Sequence, residues 1–419
     1  MTRPLNVAYI LLRFPYLTET FIAEEIRAIQ SKGVRVMIVS LLKPESGLVQ
    51  PHSHELLPFT WHAPGLMSLA LWKAQLWFLF RTGRLYFDLL VTLLRRPYRS
   101  QPLLLLAKRV VIFLKAVAVA HKLKGSEVQL LHAHFAWLSG AAAWICSRLL
   151  ELPFTVTVHA YDVFASTDLL DLICSEAQHV IAISEYNRRV IAGLGIRSSA
   201  SISVIRCGVN PSQFEPRRRT QRGSPINEPL KILSVGSLTE KKGHRYLIEA
   251  CELLNVRGVD FTCTIIGGGA EEPVLRKQIE RDCLQGRVKL QGARLHSETL
   301  AAYAQHDVFV LASTVAANGD RDGIPVVMME AGATGLAIVS TRISGIPELV
   351  LDNETGSLVP PGDAPALAEA IALLAAKPDL RRELGENARA LVESKFNLKR
   401  NVQQLTNLWR EALPLNNAS

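Results

Sequence analysis

The feature that most constrains this chain is a set of short, uninterrupted apolar runs. Residues 5–12 read Leu-Asn-Val-Ala-Tyr-Ile-Leu-Leu, and residues 308–313 read Val-Phe-Val-Leu-Ala-Ser. A strand with one face in water alternates apolar and polar residues. A strand covered on both faces, as in a parallel sheet flanked by helices, does not. Comparable runs recur at 34–40, 128–135, 154–158, 179–184, 201–205, 231–236, 261–266, 288–292 and 336–341. They fall into two groups, separated at 217–225 by Arg-Arg-Arg-Thr-Gln-Arg-Gly-Ser-Pro, a polar Gly- and Pro-containing linker whose arginines read as solvated. A chain of 419 residues is long enough for two such domains, each with its own core. The expected organisation is α/β, with a first domain at 1–215, a linker at 216–229, a second domain at 230–396 and a terminal helix and tail at 397–419. That helix carries Val402, Leu405, Leu408, Trp409 and Leu413 at helical spacing.

The run at 308–313 leads into Asp320-Arg321-Asp322-Gly323-Ile324-Pro325-Val326-Val327-Met328-Met329-Glu330. A strand, a Gly-containing turn and a helix start with Pro325 at a first helical position make an anion site, because backbone N–H groups and the helix dipole point outward. Asp322 in the turn and Glu330 on the helix stand eight positions apart. They can bracket an extended, phosphate-containing ligand. After the run at 231–236 come Ser237 and Lys242-Gly243. After that at 261–266 come Gly267-Gly268-Gly269, which lack the G-x-G-x-x-G spacing and the acidic partner of a dinucleotide fingerprint.

The basic balance is local. Between 65 and 125 there are eleven Lys or Arg against one acid, Asp88, in a chain whose net charge is +9, so the remainder is close to neutral. The charges are interleaved with Leu69, Leu71, Trp72, Leu76, Trp77, Phe78 and Phe80. That composition favours an anionic lipid surface over nucleic acid. No run reaches the length of a membrane span. The six cysteines show no C-x-x-C spacing, and the N-terminus lacks the apolar core of a signal peptide, so a reducing cytoplasm is expected.

In the first half, the strand at 154–158 ends in His159-Ala160-Tyr161-Asp162, and that at 128–135 in His132-Ala133-His134. His-x-His alone, with no third ligand nearby in sequence, does not indicate a metal. Loop polar residues Arg13, Thr18 and Glu19 follow the first strand, at the end where open α/β sheets bind ligands.

Together these motifs resemble family-4 glycosyltransferases. The resemblance rests on Asp322-Gly-x-Pro-x-x-x-x-Glu330, Lys242-Gly243, Thr157-x-His159-Ala160-x-Asp162, the turn at 207–214 and Gly356 to Asp363, and it covers nearly the whole chain. The wording Phe14-Pro15-x-Leu17-Thr18-Glu19-Thr20-Phe21 resembles a branch that builds bacterial exopolysaccharides, including the colanic-acid transferases. The resemblance implies a GT-B fold: two Rossmann-like domains facing an interdomain cleft, with the C-terminal helix crossing back to the first. It implies retaining transfer of a hexose from a UDP- or GDP-sugar to a glycan or lipid-linked hydroxyl, with no cofactor and no metal, at the cytoplasmic face of the inner membrane. By the same resemblance His159 and Asp322 orient the donor sugar and Lys242 neutralises the diphosphate. Ser237, Gly267, Gly323, Ile324, Pro325 and Val326 line the nucleotide sugar, and Glu330 holds the ribose. Two departures stand out. Asp322 replaces the usual Glu, and Ser237 replaces an Arg, with Lys241 or Arg321 as possible substitutes. They keep open a non-catalytic glycan- or membrane-binding scaffold, beside a GT-B sugar-nucleotide epimerase.

Overall fold

The computed structural model describes residues 4–16, 19–44, 51–96, 102–195, 201–214 and 228–413. Thr18, Arg99 and most of the linker lie outside them. The chain forms two compact units, Met1–Ile205 with Val402–Ser419, and Arg206–Asn401.

The first unit is built on seven strands: β1 Asn6–Arg13, β2 Arg35–Leu42, β3 Thr60–His62, β4 Leu130–His134, β5 Phe154–Val158, β6 His179–Ala182 and β7 Ile202–Val204. All pair in parallel, in the order β3-β2-β1-β4-β5-β6-β7. β4 and β5 are buried throughout, which explains their lack of polar alternation. The strand order reverses direction between β1 and β4. In open α/β sheets, ligands bind beyond the carboxyl ends of the strands at such a point. Helix Leu138–Leu150 returns from β4. A Cβ on its Gly140 would lie 3.0 Å from the Phe135 carbonyl and from Ile173, so the small-residue run Gly140 to Ala143 brings this helix close to its neighbours. The C-terminal helix Leu398–Ala412 enters this unit at Val402 and buries Trp409, whose indole N–H donates to Thr155 Oγ1 at 3.2 Å.

The basic segment forms helices Leu69–Arg95 and Pro102–Leu123. Two of its cations turn inward, contrary to a solvated or lipid-facing role. Arg109, 1% exposed, pairs with Asp168 at 2.6 Å and donates to the Leu93 and Arg96 carbonyls. Lys115 donates to the Pro64 carbonyl at 3.1 Å, and burial lowers its pKa. The first of the two helices has two apolar faces. Leu71, Ala74 and Phe78 enter the core, while Leu69, Trp72, Leu76 and Phe80, at spacings of three and four, are exposed. No helix among the described residues is long and apolar enough to cross a membrane.

The second unit carries β8 Leu230–Val235, β9 Phe261–Ile266, β10 Val288–Leu290, β11 Val308–Leu311, β12 Ala337–Thr341 and β13 Gly356–Val359. These form a parallel sheet in the order β10-β9-β8-β11-β12-β13, reversing between β8 and β11. The turn at 207–214 belongs to this unit. Val209 N–H donates to the Phe396 carbonyl and Leu398 N–H to the Val209 carbonyl, each at 2.9 Å.

Candidate active site

The second unit gathers its expected site residues at the β8/β11 reversal. After β8 the chain makes a 3-10 turn, Glu240–Lys242, and passes through Gly243 in the left-handed region at φ +65°. A Cβ there would sit 1.8 Å from the Ala312 carbonyl oxygen, so only glycine lets the turn lie against the end of β11. That contact brings Lys242 to Asp322. Its Nζ lies 2.9 Å from both carboxylate oxygens, and Ser313 Oγ donates to Asp322 Oδ2 at 3.0 Å. Lys241 pairs separately with Asp320 at 2.9 Å. Ser237 is half-buried, its hydroxyl 3.2 Å from that of Thr239. Burial and the nearby Lys242 charge push His244 down to about 4. Gly267 fits beside Gly236, where a Cβ would meet the Gly236 carbonyl at 1.8 Å.

Pro325 is extended at ψ 130° and precedes the helix Val326–Thr334, rather than forming its first residue. Asp322, Gly323, Ile324 and Pro325 are buried, and Val326 is half-buried. No side chain caps this helix, because Pro325 at the cap position has no side-chain acceptor. Glu330 is 5% exposed. His296 Nε2 lies 2.9 Å from its Oε1, and Tyr303 donates to its Oε2 at 2.8 Å. Burial and the Glu330 carboxylate push Tyr303 up. Sequence reasoning assigned no site role to Ser313 or Tyr303, which carry no motif of their own.

In the first unit, His159 precedes the short helix Ala160–Phe164, and its N–H donates to Asp162 Oδ2 at 2.8 Å. Burial raises Asp162 to about 7. His159 is 6% exposed and held well below the ordinary histidine range by burial and by His134, whose Nδ1 lies 3.0 Å away. Glu19 is likewise raised by burial to about 7, an effect that His134 opposes. Glu25, His132 and His134 place ligand-type atoms within 4.8 Å of one another. Hydrogen bonds already engage these rings: His132 with Thr155 and Thr157, and His134 with Glu25 and His159. Glu25 is the residue here that sequence reasoning missed.

Two parallel-sheet units, each with polar residues at its strand-order reversal, make up the GT-B fold. Solved structures share this fold. Sucrose-phosphate synthase from Thermosynechococcus elongatus has a TM-score of 0.72 at 21% identity, over 97% of this chain and 99% of that one. Anabaena HepE, solved in complex with UDP-glucose, has a TM-score of 0.71 at 17% identity, over 97% and 100%.

The chain belongs to glycosyltransferase family 4. The Glycosyltransferase Family 4 model matches residues 18–213, and Glycosyl transferases group 1 matches 216–391. A Salmonella typhimurium protein assigned to colanic acid biosynthesis as the glycosyltransferase WcaL is 32% identical over 96% of this chain and 99% of its own. The amylovoran biosynthesis glycosyltransferase AmsK of Erwinia amylovora is 41% identical over 49% of this chain and 50% of its own length, so the match spans about half of that relative.

Proposed function

We propose that this chain transfers a hexose, with retention, from a UDP- or GDP-sugar to a hydroxyl of a glycan or lipid-linked oligosaccharide in exopolysaccharide or lipopolysaccharide biosynthesis. The observation that carries the reading is the Lys242–Asp322 pair, 2.9 Å apart at the end of β8, with the buried carboxylate of Glu330 on the helix that follows Asp322. The second unit takes the donor, and the first the acceptor. Lys242 and the backbone N–H groups of Gly323, Ile324 and Val326 meet the negative charge that grows on the departing diphosphate. Ser237 and Gly267 line its path. Asp322 and His159 orient the sugar, and Glu330 accepts from the ribose hydroxyls. The HepE complex with UDP-glucose and the names of the family relatives support a nucleotide-sugar donor and a polysaccharide product.

The reaction uses no metal and no cofactor. Asp320 and Asp322 face different lysines, Lys241 and Lys242, which supports this against a shared cation. Activity abolished by EDTA and restored by manganese would refute it. The exposed stripe Leu69, Trp72, Leu76 and Phe80, next to Lys73 and Arg81, supports docking on an anionic membrane surface at the cytoplasmic face of the inner membrane.

The test is thermal unfolding with UDP, GDP and ADP, on wild type and Glu330→Gln. Nucleotide at about 100 times its Kd adds about 2.7 kcal/mol of stability. One nucleotide is expected to raise Tm in wild type, and to do so less in the variant. No shift with any of the three overturns the donor site and favours a non-catalytic scaffold.

A further inference from the structure

A buried line of hydrogen bonds ends at His159. Tyr9 donates its phenol proton to Glu25 Oε1 at 2.8 Å. His134 Nε2 lies 2.8 Å from the same oxygen, and His134 Nδ1 lies 3.0 Å from His159 Nε2. Glu25 comes from helix Thr20–Gln30, His134 from the end of β4 and His159 from the end of β5. The Phe135 and Phe21 rings, centroids 4.3 and 5.3 Å from that of His159, hold its plane.

One arrangement of protons satisfies this line with neutral rings. A carboxylate accepts and cannot donate, so His134 carries its proton on Nε2, facing Glu25. Its Nδ1 is then a lone pair. The proton between the two rings therefore belongs to His159 Nε2, which leaves Nδ1 as the acceptor nitrogen of His159.

We infer that Glu25 and His134 are positioning residues that lock His159 in the Nε2–H tautomer, so that it meets a sugar hydroxyl as an acceptor at Nδ1. The tautomer matters because a donor sugar gains positive charge as its bond to phosphate breaks. Its hydroxyls become better donors in that state. A lone pair then strengthens its contact in the transition state, whereas an N–H in the same place weakens it. The inference deepens the transferase reading and rests on it for the ligand; the tautomer itself does not.

The test is two-bond proton–nitrogen NMR on the full chain labelled with 15N-histidine, with the His159 signals assigned through His159→Gln. Wild type is expected to show His159 as Nε2–H. Glu25→Ala is expected to move it towards Nδ1–H, with kcat about tenfold lower and donor KM within about twofold. Glu25→Gln keeps an oxygen that can accept both bonds, and is expected to keep the tautomer. An Nδ1–H ring in wild type overturns the inference whether or not any variant folds. An unchanged tautomer in folded Glu25→Ala does the same. A wild type with the expected tautomer that stabilises with no nucleoside diphosphate overturns the transferase reading and supports the lock.

Discussion

If Lys242 meets the donor diphosphate as proposed, Asp322 competes for it, and removing its charge should tighten product binding while slowing transfer. Both carboxylate oxygens lie 2.9 Å from Nζ, and the two side chains are only 9% and 13% exposed. Such a pair stands between an exposed one, worth at most about 1 kcal/mol, and a buried one, whose breaking costs about 3–5 kcal/mol. A diphosphate approaching Lys242 must displace or share that carboxylate, and also meets its negative charge. Asp322→Asn keeps an oxygen for the Ser313 hydroxyl and removes both penalties. About 1–2 kcal/mol of competition corresponds to a Kd for the nucleoside diphosphate lower by roughly five- to thirtyfold. Partial burial shields the pair from salt, so most of the gain should persist at raised ionic strength. Isothermal titration of wild type and Asp322→Asn with the nucleotide that stabilises wild type, at two salt concentrations, measures this directly. Transfer should fall in the same variant if Asp322 orients the sugar as proposed. Affinity unchanged or weakened in Asp322→Asn would refute the competition.

Arg109→Met leaves Asp168, whose side chain is 3% exposed, without its guanidinium, and should cost about 3–5 kcal/mol in denaturant unfolding. Asp162 stands at about 7 in the folded chain against 3.8 for an ordinary aspartate. Its stabilising contribution is therefore complete below about 3.8 and is lost as pH rises through about 7, so Asp162→Asn should gain stability relative to wild type between pH 5 and 8 in parallel melts. Phe80→Asp and Leu76→Asp place charge on exposed positions, 86% and 52%, and should abolish flotation with anionic vesicles while leaving Tm nearly unchanged. Wild type that does not float would refute the membrane docking.

The α/β class was legible because buried parallel strands leave unbroken apolar runs, as at Val308–Leu311 and Phe154–Val158. β3 was not. Its three residues, Thr60, Trp61 and His62, sit half-buried at a sheet edge and make no run. The same limit applies to the basic segment. Composition counts charges without direction, so Arg109 and Lys115 were indistinguishable from Lys73 and Arg81, although the first two point inward. At the candidate site, short-range spacing brought out Asp322 and Glu330. Their partners lie far away in the chain: Lys242 is 80 residues from Asp322, and Tyr303 is 27 from Glu330. Periodicity carries no trace of such pairs, because β8 and β11 are brought together by sheet order rather than by sequence distance.

Both units treat a helix carboxylate in the same way. Glu25 is held by the Tyr9 hydroxyl and the His134 ring, and Glu330 by the Tyr303 hydroxyl and the His296 ring. The difference lies in which oxygens are used. Glu25 receives both partners on Oε1, so that oxygen is saturated and the group serves to fix the proton on His134. Glu330 receives one partner on each oxygen, which leaves each with a further lone pair. A diol with two adjacent hydroxyls, such as a ribose, can occupy both at once. An unrestrained glutamate loses about 1.5–2 kcal/mol of rotamer freedom when a ligand immobilises it. At Glu330 that loss falls on folding, where Tyr303 and His296 offset it, and a ligand meets an acceptor already in place.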